Sequence, residues 1–504
     1  MQSNEAGYAQ ALNPFLCSPV NGFCRFFPAE AQRFTCPHVR VPELRPNRSL
    51  KHVLRGIMIM RGNTLRSLVM LFVVSWGLAP GAMALPSYAR QTGLPCSGCH
   101  TTPPELNAAG RLFKLMGYID RAKNNDIIAE SKTSHAGLNL LGSLPLSVMF
   151  ETSLTSTSTP QPGTQNGNFE FPQDVSLFLA GAWASHLGSF LQVTYDTQDD
   201  HFSADNTDIR YANKKQLAGK EWVYGLTLNN NPTVEDLWNS TPAWGFPFIA
   251  PDSAPTPTAA PIIDGPLAQD VAGLGAYTMW NKHLYFAGTL YRSEHVGSAQ
   301  PTTGQTYSYN IRGVAPYWRL AWQQNGEKYN LEVGTYGMHM KSTPGAITGP
   351  EDSYTDLAPD IEYDLNLGKD VLSLRGTLIR ENSALAASLA DGTAAQIGHH
   401  LNTGTANVEY HLGNRYSAAF SWFATSGTPD PLFYPQSALT GNANGDPRSA
   451  GYMGNLSFWP IQNLDLAFQY TGYTRFNGAA TNYDGAGRDA SDNNTVYLLA
   501  RFLF

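Results

Sequence analysis

From about residue 140 to its end, the chain alternates between apolar and polar positions. Leu191, Val193 and Tyr195 share one parity, and Gln192, Thr194 and Asp196 the other. Leu464, Leu466, Phe468 and Tyr470 oppose Asp465, Gln469 and Thr471, and Leu372, Leu374 and Leu378 oppose Ser373, Arg375 and Thr377. A period of two places successive side chains on opposite faces of a strand. Segments of about ten such residues, apolar on one side only, are the mark of a transmembrane strand. Sixteen can be counted, starting near residues 144, 173, 189, 206, 220, 270, 283, 312, 327, 354, 370, 401, 415, 449, 462 and 493. The reading is all-β, a sixteen-stranded transmembrane antiparallel barrel over residues 140–504.

The connections alternate in length. Residues 186–188, 281–282, 325–326, 367–369, 413–414 and 460–462 form short turns. Long loops lie between them, the longest running from Asn229 to Gln269 with a Pro/Ala/Thr-rich centre. Short periplasmic turns opposite long external loops are expected of such barrels, and an even strand count leaves both termini in the periplasm. The last strand supports this: Val496, Leu498, Phe502 and Phe504 share the lipid face and leave Arg501 for the lumen. A terminal phenylalanine there resembles the assembly signal of bacterial outer-membrane proteins.

Composition narrows the class further. Only 14% of the 504 residues are charged while 12% are aromatic. Soluble domains average about 25% charged residues. A soluble sandwich or propeller would need a repeat or a second hydrophobic core, and neither is evident. The net charge of -7 argues against a nucleic-acid partner. Met60, Arg61 and Arg66 open a signal peptide, Leu68 to Leu78 form its apolar stretch, and Ala82-Met83-Ala84 fits a cleavage site before Leu85. The chain then divides into a signal peptide (58–84), a short intervening segment (85–139) and the barrel (140–504). Residues 1–57 read as lying upstream of the true start at Met58 or Met60; the alternative is a genuine extension whose Cys17, Cys24 and Cys36 bind something.

The chemistry is concentrated in Pro95-Cys96-Ser97-Gly98-Cys99-His100, a CxxCH motif. Two thiols at this spacing can both join one porphyrin, and the adjoining histidine can take an axial position on its iron. A redox CxxC dithiol is the competing reading, but it wants a βαβ context that is absent. No catalytic residue beyond this redox centre is indicated. A helix is expected over residues 106–123, with Leu112, Phe113, Leu115, Met116 and Ile119 as its apolar stripe. That stripe covers either one haem face or the segment's own core. Arg90, Arg111 and Lys114 are either partners of a haem propionate or solvated charges.

The run ARQTG-x-x-C-x-x-C-H followed by GR-x-FK-x-x-GY, from Ala89 to Tyr118, resembles the fused monohaem cytochrome c–porin family of bacterial outer membranes, which includes iron oxidases. The resemblance implies a small cytochrome segment plugging a sixteen-stranded barrel. Its single covalent haem c would carry electrons from an extracellular donor, Fe(II) or similar, to a periplasmic cytochrome. The alternative is a diffusion porin or transporter whose haem segment acts as a redox sensor or gate.

The second axial ligand is left open among Met149, Met116 and His135. Met116 lies on the predicted helix and His135 in the linker, whereas Leu146, Val148 and Phe150 on the lipid face turn Met149 inward with Ser147 and Glu151. Asp196, Asp199, Asp200, Asp205 and Asp208 fall in one connection, and Glu351, Asp352 and Asp356 in another. They read as external carboxylates able to concentrate cations at the mouth, or equally as ordinary solubilising charge.

Overall fold

Sixteen long strands close into one barrel among the described residues of a computed structural model, which are 85–120, 144–198, 200–244, 248–294, 310–344 and 348–504. In chain order the strands are β1 (Leu146–Thr157), β2 (Asn168–Glu170), β3 (Asp174–Ala184), β4 (Leu187–Asp196), β5 (His201–Ser203) and β6 (Thr207–Leu217). Then come β7 (Lys220–Asn229), β8 (Val271–Trp280), β9 (Leu284–Ser293), β10 (Ala315–Asn325), β11 (Tyr329–Ser342) and β12 (Asp352–Leu367). The last six are β13 (Asp370–Leu385), β14 (Gly398–Leu412), β15 (Tyr416–Gly427), β16 (Ser449–Ile461), β17 (Leu464–Arg475) and β18 (Thr495–Leu503). The three-residue β2 and β5 pair with β1 and β4 at the loop end and so prolong β3 and β6. Every pairing is antiparallel, and β1 against β18 closes the ring, with Glu151 opposite Arg501. Each long strand begins within three residues of its expected start.

Burial is inverted relative to a soluble protein. On β12, Leu357 and Ile361 are 51% and 48% exposed while Asp356, Asp360, Glu362 and Asp364 are buried. Lipid covers the first parity and the lumen receives the second. At the short-turn end Tyr416 stacks on Phe458 and Trp222 meets Tyr224 at a tilt, both pairs at 4.8 Å. Amphipathic rings belong at such a membrane boundary.

Two features depart from the sequence reading. The helix after the haem motif covers only Ala108–Leu115. Asn107 caps it by accepting from the Ala109 and Gly110 amides, and Gly117 (φ 74°) and Tyr118 (φ 59°) end it in left-handed conformations. Leu115, Met116 and Ile119 of the expected stripe are buried, but Arg111 and Lys114 are buried as well, and Leu112 is 52% exposed. The helix meets lumen-facing strand positions, and against that charged wall cations are the groups that find partners.

The second departure is the long connection between β7 and β8, which folds inward. Its Glu235 and Asp236 are buried, Asp236 lying 3.2 Å from Arg319 of β10. Further on, the Ile262 and Ile263 amides donate to Glu381 and Asp356 of the wall, at 2.6 and 2.9 Å. Ile262, Ile263 and Leu267 then pack with Tyr336, Met338 and Met340 of β11 in an apolar cluster. Inward positions of a wide barrel can be apolar when an inserted loop keeps water from them.

Candidate functional site

A short helix, Pro86–Thr92, carries the CxxCH motif to the wall. Pro86 starts it without wasting an amide, and Gly93 in left-handed conformation ends it. Tyr88 donates to the Ser189 carbonyl at 2.7 Å, and the Ser87 amide donates to Ser147 Oγ at 2.9 Å. The Gln91 side chain spans Ala180 and Ala182 of β3, lying where a Cβ on Gly181 would stand. The motif follows as a single 3-10 turn, Cys96–Gly98, and the Cys96 amide donates to Gln462 Oε1 at 2.8 Å.

His100 is oriented by its own loop. Its Nδ1 lies 3.1 Å from the Glu105 carbonyl oxygen, and the backbones of His100 and Leu106 form a bridge. An Nδ1–H donating there leaves the lone pair on Nε2, the arrangement an iron-ligating imidazole requires. Gly110 permits the following helix to close on this loop, since a Cβ there would stand 2.1 Å from the Cys99 carbonyl oxygen. The loop is pinned to the wall through Glu105, which pairs with Arg375 of β13 and lies 3.2 Å from His411 of β14. Burial opposes its charge, yet Arg375 and His411 hold its carboxyl well below the usual range.

Cys96, Cys99, His100 and Met149 line one cavity of about 320 Å³. Part of its wall is a run of contacting rings, Tyr88, Phe113, Tyr118, Phe178, Phe190 and Trp244, with neighbours 5.0–6.3 Å apart. Lys114 and Arg501 are the cations on it. Lys114 also reaches the Asp236 carbonyl and Asn239 Oδ1 and lies 3.7 Å over Trp244. A mostly apolar space lined by two thiols, an oriented imidazole and a thioether fits a covalent haem c. A dithiol redox pair relies on one thiol of depressed pKa. Burial instead pushes Cys96 up to about 12 and raises Cys99 as well.

The three candidates for the second ligand separate. Met149 lines the cavity. Met116 is packed with Leu115, Ala212, Val223 and Tyr277 in the apolar contact between helix and wall. His135 lies outside the described residues. Of the basic trio, Arg111 stacks on Trp238 at 3.5 Å and reaches Asn325 and Asp364, so it is a wall contact. Arg90 is exposed and donates to the Leu146 carbonyl.

The external carboxylates need correction. Asp208 is a buried lumen residue on β6, 2.7 Å from Arg210 and accepting from Tyr118 at 2.6 Å. Asp352 accepts the Ala387 and Ser388 amides, and Asp356 that of Ile263, so both brace inserted chain. Glu351 pairs with Arg312 and Lys341. Asp199 lies outside the described residues. Asp196 instead meets Asp174 and Asp252, within 4.8 Å of one another at the long-loop end. Sequence could not have grouped these three, because strand pairing brings Asp174 opposite Asp196 and the inserted loop brings Asp252.

No protein-family pattern and no curated protein matches the chain. Solved structures that resemble it are outer-membrane channels. OmpF of Salmonella typhi, in complex with daunomycin, shares 9% identity over 72% of this chain and 98% of its own, at a TM-score of 0.42. The anion-selective porin of Comamonas acidovorans shares 12% over 71% and 98%, also at 0.42. The channel DcaP of Acinetobacter baumannii shares 11% over 71% and 96%, at 0.41. Likenesses this distant add nothing to what the strand pairing itself establishes.

Proposed function

We propose that the chain is an outer-membrane electron conduit. One haem c, held by Cys96, Cys99 and His100, would occupy the lumen cavity and link a small extracellular donor, Fe(II) or similar, to periplasmic carriers. The observation that carries this reading is that the CxxCH motif and Met149 line the same aromatic-walled cavity. When bound, such a group supplies a one-electron carrier part-way across a hydrocarbon layer of about 30 Å.

The chain's own residues do the rest. The Glu105 carbonyl keeps the His100 imidazole in the ligating tautomer. The aromatic wall excludes water, and Lys114 and Arg501 offer positive charge to an acidic rim. At the long-loop end, Asp174, Asp196 and Asp252 draw cations towards the mouth. Both barrel termini lie with the short turns, which supports entry of the haem segment from the periplasmic side.

The closed sixteen-stranded barrel by itself favours the second reading, a diffusion porin with a redox gate. That reading needs a water-filled passage. Against it stand the helices of residues 86–115 and the inserted loop, both among the inward side chains.

Purified protein should stain for covalent haem, and replacing Cys96 and Cys99 together by serine should abolish the stain while a heat-modifiable barrel persists. Fe(II) should reduce the haem, more slowly as ionic strength rises. Reduction by dithionite but not by Fe(II) would rule out an iron-like donor. Liposome swelling in sugars without any Fe(II) reaction would establish the porin reading.

A further inference from the structure

Two acidic side chains stand directly opposite each other inside the barrel, Asp356 on β12 and Glu381 on β13. Each lies four residues from the long-loop end of its strand, and both are buried. The inserted connection between β7 and β8 is fastened to this pair. The Ile262 amide donates to Glu381 Oε2 and the next amide, that of Ile263, to Asp356 Oδ2. Two consecutive amides therefore grip two carboxyl groups that face each other closely enough for a hydrogen bond between them.

No cation offsets that pairing. Neither Asp356 nor Glu381 forms an ion pair among the described residues. Arg319, which reaches β12 at Asp360, is already shared with Asp236 and Glu332. Arg380 is exposed and donates to Asn402. The next positions across the sheet are apolar and buried: Met338 of β11 opposite Asp356, and Leu401 of β14 opposite Glu381. Like charges directly opposite each other destabilise a sheet, and carboxyl groups this close do not both ionise.

The hydrogen bonding is also one donor short. One oxygen of each carboxyl is taken by a loop amide. The other oxygen of Asp356, Oδ1, is buried with no hydrogen-bond partner among the described residues. A proton held between it and Glu381 supplies the missing bond and removes one of the two charges. We infer that Asp356 and Glu381 share one proton, and that this proton latches the inserted loop towards the long-loop end of the lumen. Its loss drives the carboxylates apart, and two adjacent amides cannot follow both. The packing of Ile262, Ile263 and Leu267 on Tyr336, Met338 and Met340 is then released.

The sign follows from which state holds the proton. The latched loop binds it and the released loop does not, so the latch is complete in acid and weakens as pH rises. Other titratable groups around the pair are held elsewhere or stay neutral. Asp352 accepts the Ala387 and Ser388 amides, Asp360 pairs with Arg319, and His399 of β14 lies 3.0 Å from Asp430. Tyr336, Tyr354 and Tyr434 carry phenols, which are uncharged at neutral pH. Burial raises Asp264, the loop residue after Ile263, to about 6, so the test removes it. The latch rests on neither functional reading above and holds with or without haem.

The test is hydrogen exchange of the purified full-length protein in detergent, read at the peptide holding Ile262 and Ile263 and corrected for the intrinsic rise of exchange with pH. In Asp264→Asn, protection there should fall about tenfold or more between about pH 6 and about pH 9. Adding Glu381→Gln should abolish that fall, because the amide keeps a hydrogen bond to Asp356 Oδ1 without a proton to lose. The infrared difference between the two variants should show one protonated carboxyl gone. Constant protection in Asp264→Asn across this range overturns the proposal. So does an equal fall after Glu381→Gln is added, or a difference spectrum with no protonated-carboxyl band. In Asp264→Asn alone, that band should weaken in step with protection. A band that persists while protection falls overturns the proposal without recourse to any change at Glu381.

Discussion

Gly110→Ala tests whether the haem motif depends on the helix behind it. The added Cβ would stand 2.1 Å from the Cys99 carbonyl oxygen and 2.9 Å from Leu106 Cδ2. Carbon and oxygen do not approach that closely, so helix and loop must part by about 1 Å. The cost of such overpacking is about 1–3 kcal/mol, or about a 5- to 150-fold loss of the properly closed loop. Parting them pulls on the Asn107 amide, which donates to the Cys99 carbonyl at 3.0 Å, and on the His100–Leu106 bridge. Haem stain per heat-modifiable barrel should therefore fall, and the remaining spectrum should report an altered axial histidine. Gly98→Ala is the control, because there the nearest contact is 3.3 Å, to Leu94 Cβ, and a small side-chain shift relieves it. Full haem loading and a wild-type spectrum in Gly110→Ala would refute the reasoning, most sharply if Gly98→Ala were the damaged variant.

Met149→Ala should shift the haem spectrum and lower its potential more than Met116→Ala, because only Met149 lines the cavity; a spectrum indifferent to Met149→Ala would remove it as ligand. Arg375→Met should destabilise the folded chain by about 3–5 kcal/mol, read from urea unfolding in detergent, since it strands the Glu105, Glu362 and Glu409 carboxylates. A loss below about 1 kcal/mol would show that those carboxylates are compensated otherwise. Burial raises the Asp264 carboxyl to about 6 in the inserted loop. The folded loop thus holds a proton that the unfolded chain releases near pH 4, so stability is full below that and declines as pH rises through 6. Limited proteolysis of the loop should accelerate over this window, and Asp264→Asn should flatten the dependence. A slope unchanged in the variant would exclude Asp264 as its source.

The sequence by itself determined the wall of this protein. Contact with lipid is a local condition on every second residue, so alternation alone located each long strand and turned Met149, Glu151 and Arg501 inward. It also contained the whole CxxCH motif, which lies within six consecutive residues. What fills the barrel was decided only in three dimensions. A lumen-facing residue answers to whatever chain arrives opposite it, and nothing near it in sequence records which chain that is. Asp356 looked like loop charge and proved to hold the Ile263 amide. Arg111 and Lys114 read either as partners of a haem propionate or as solvated charges, yet they are buried against Asp364 and Asn239 of distant segments. Ion pairs such as Glu105 with Arg375 join residues hundreds of positions apart, and only closure of the ring brings them within reach.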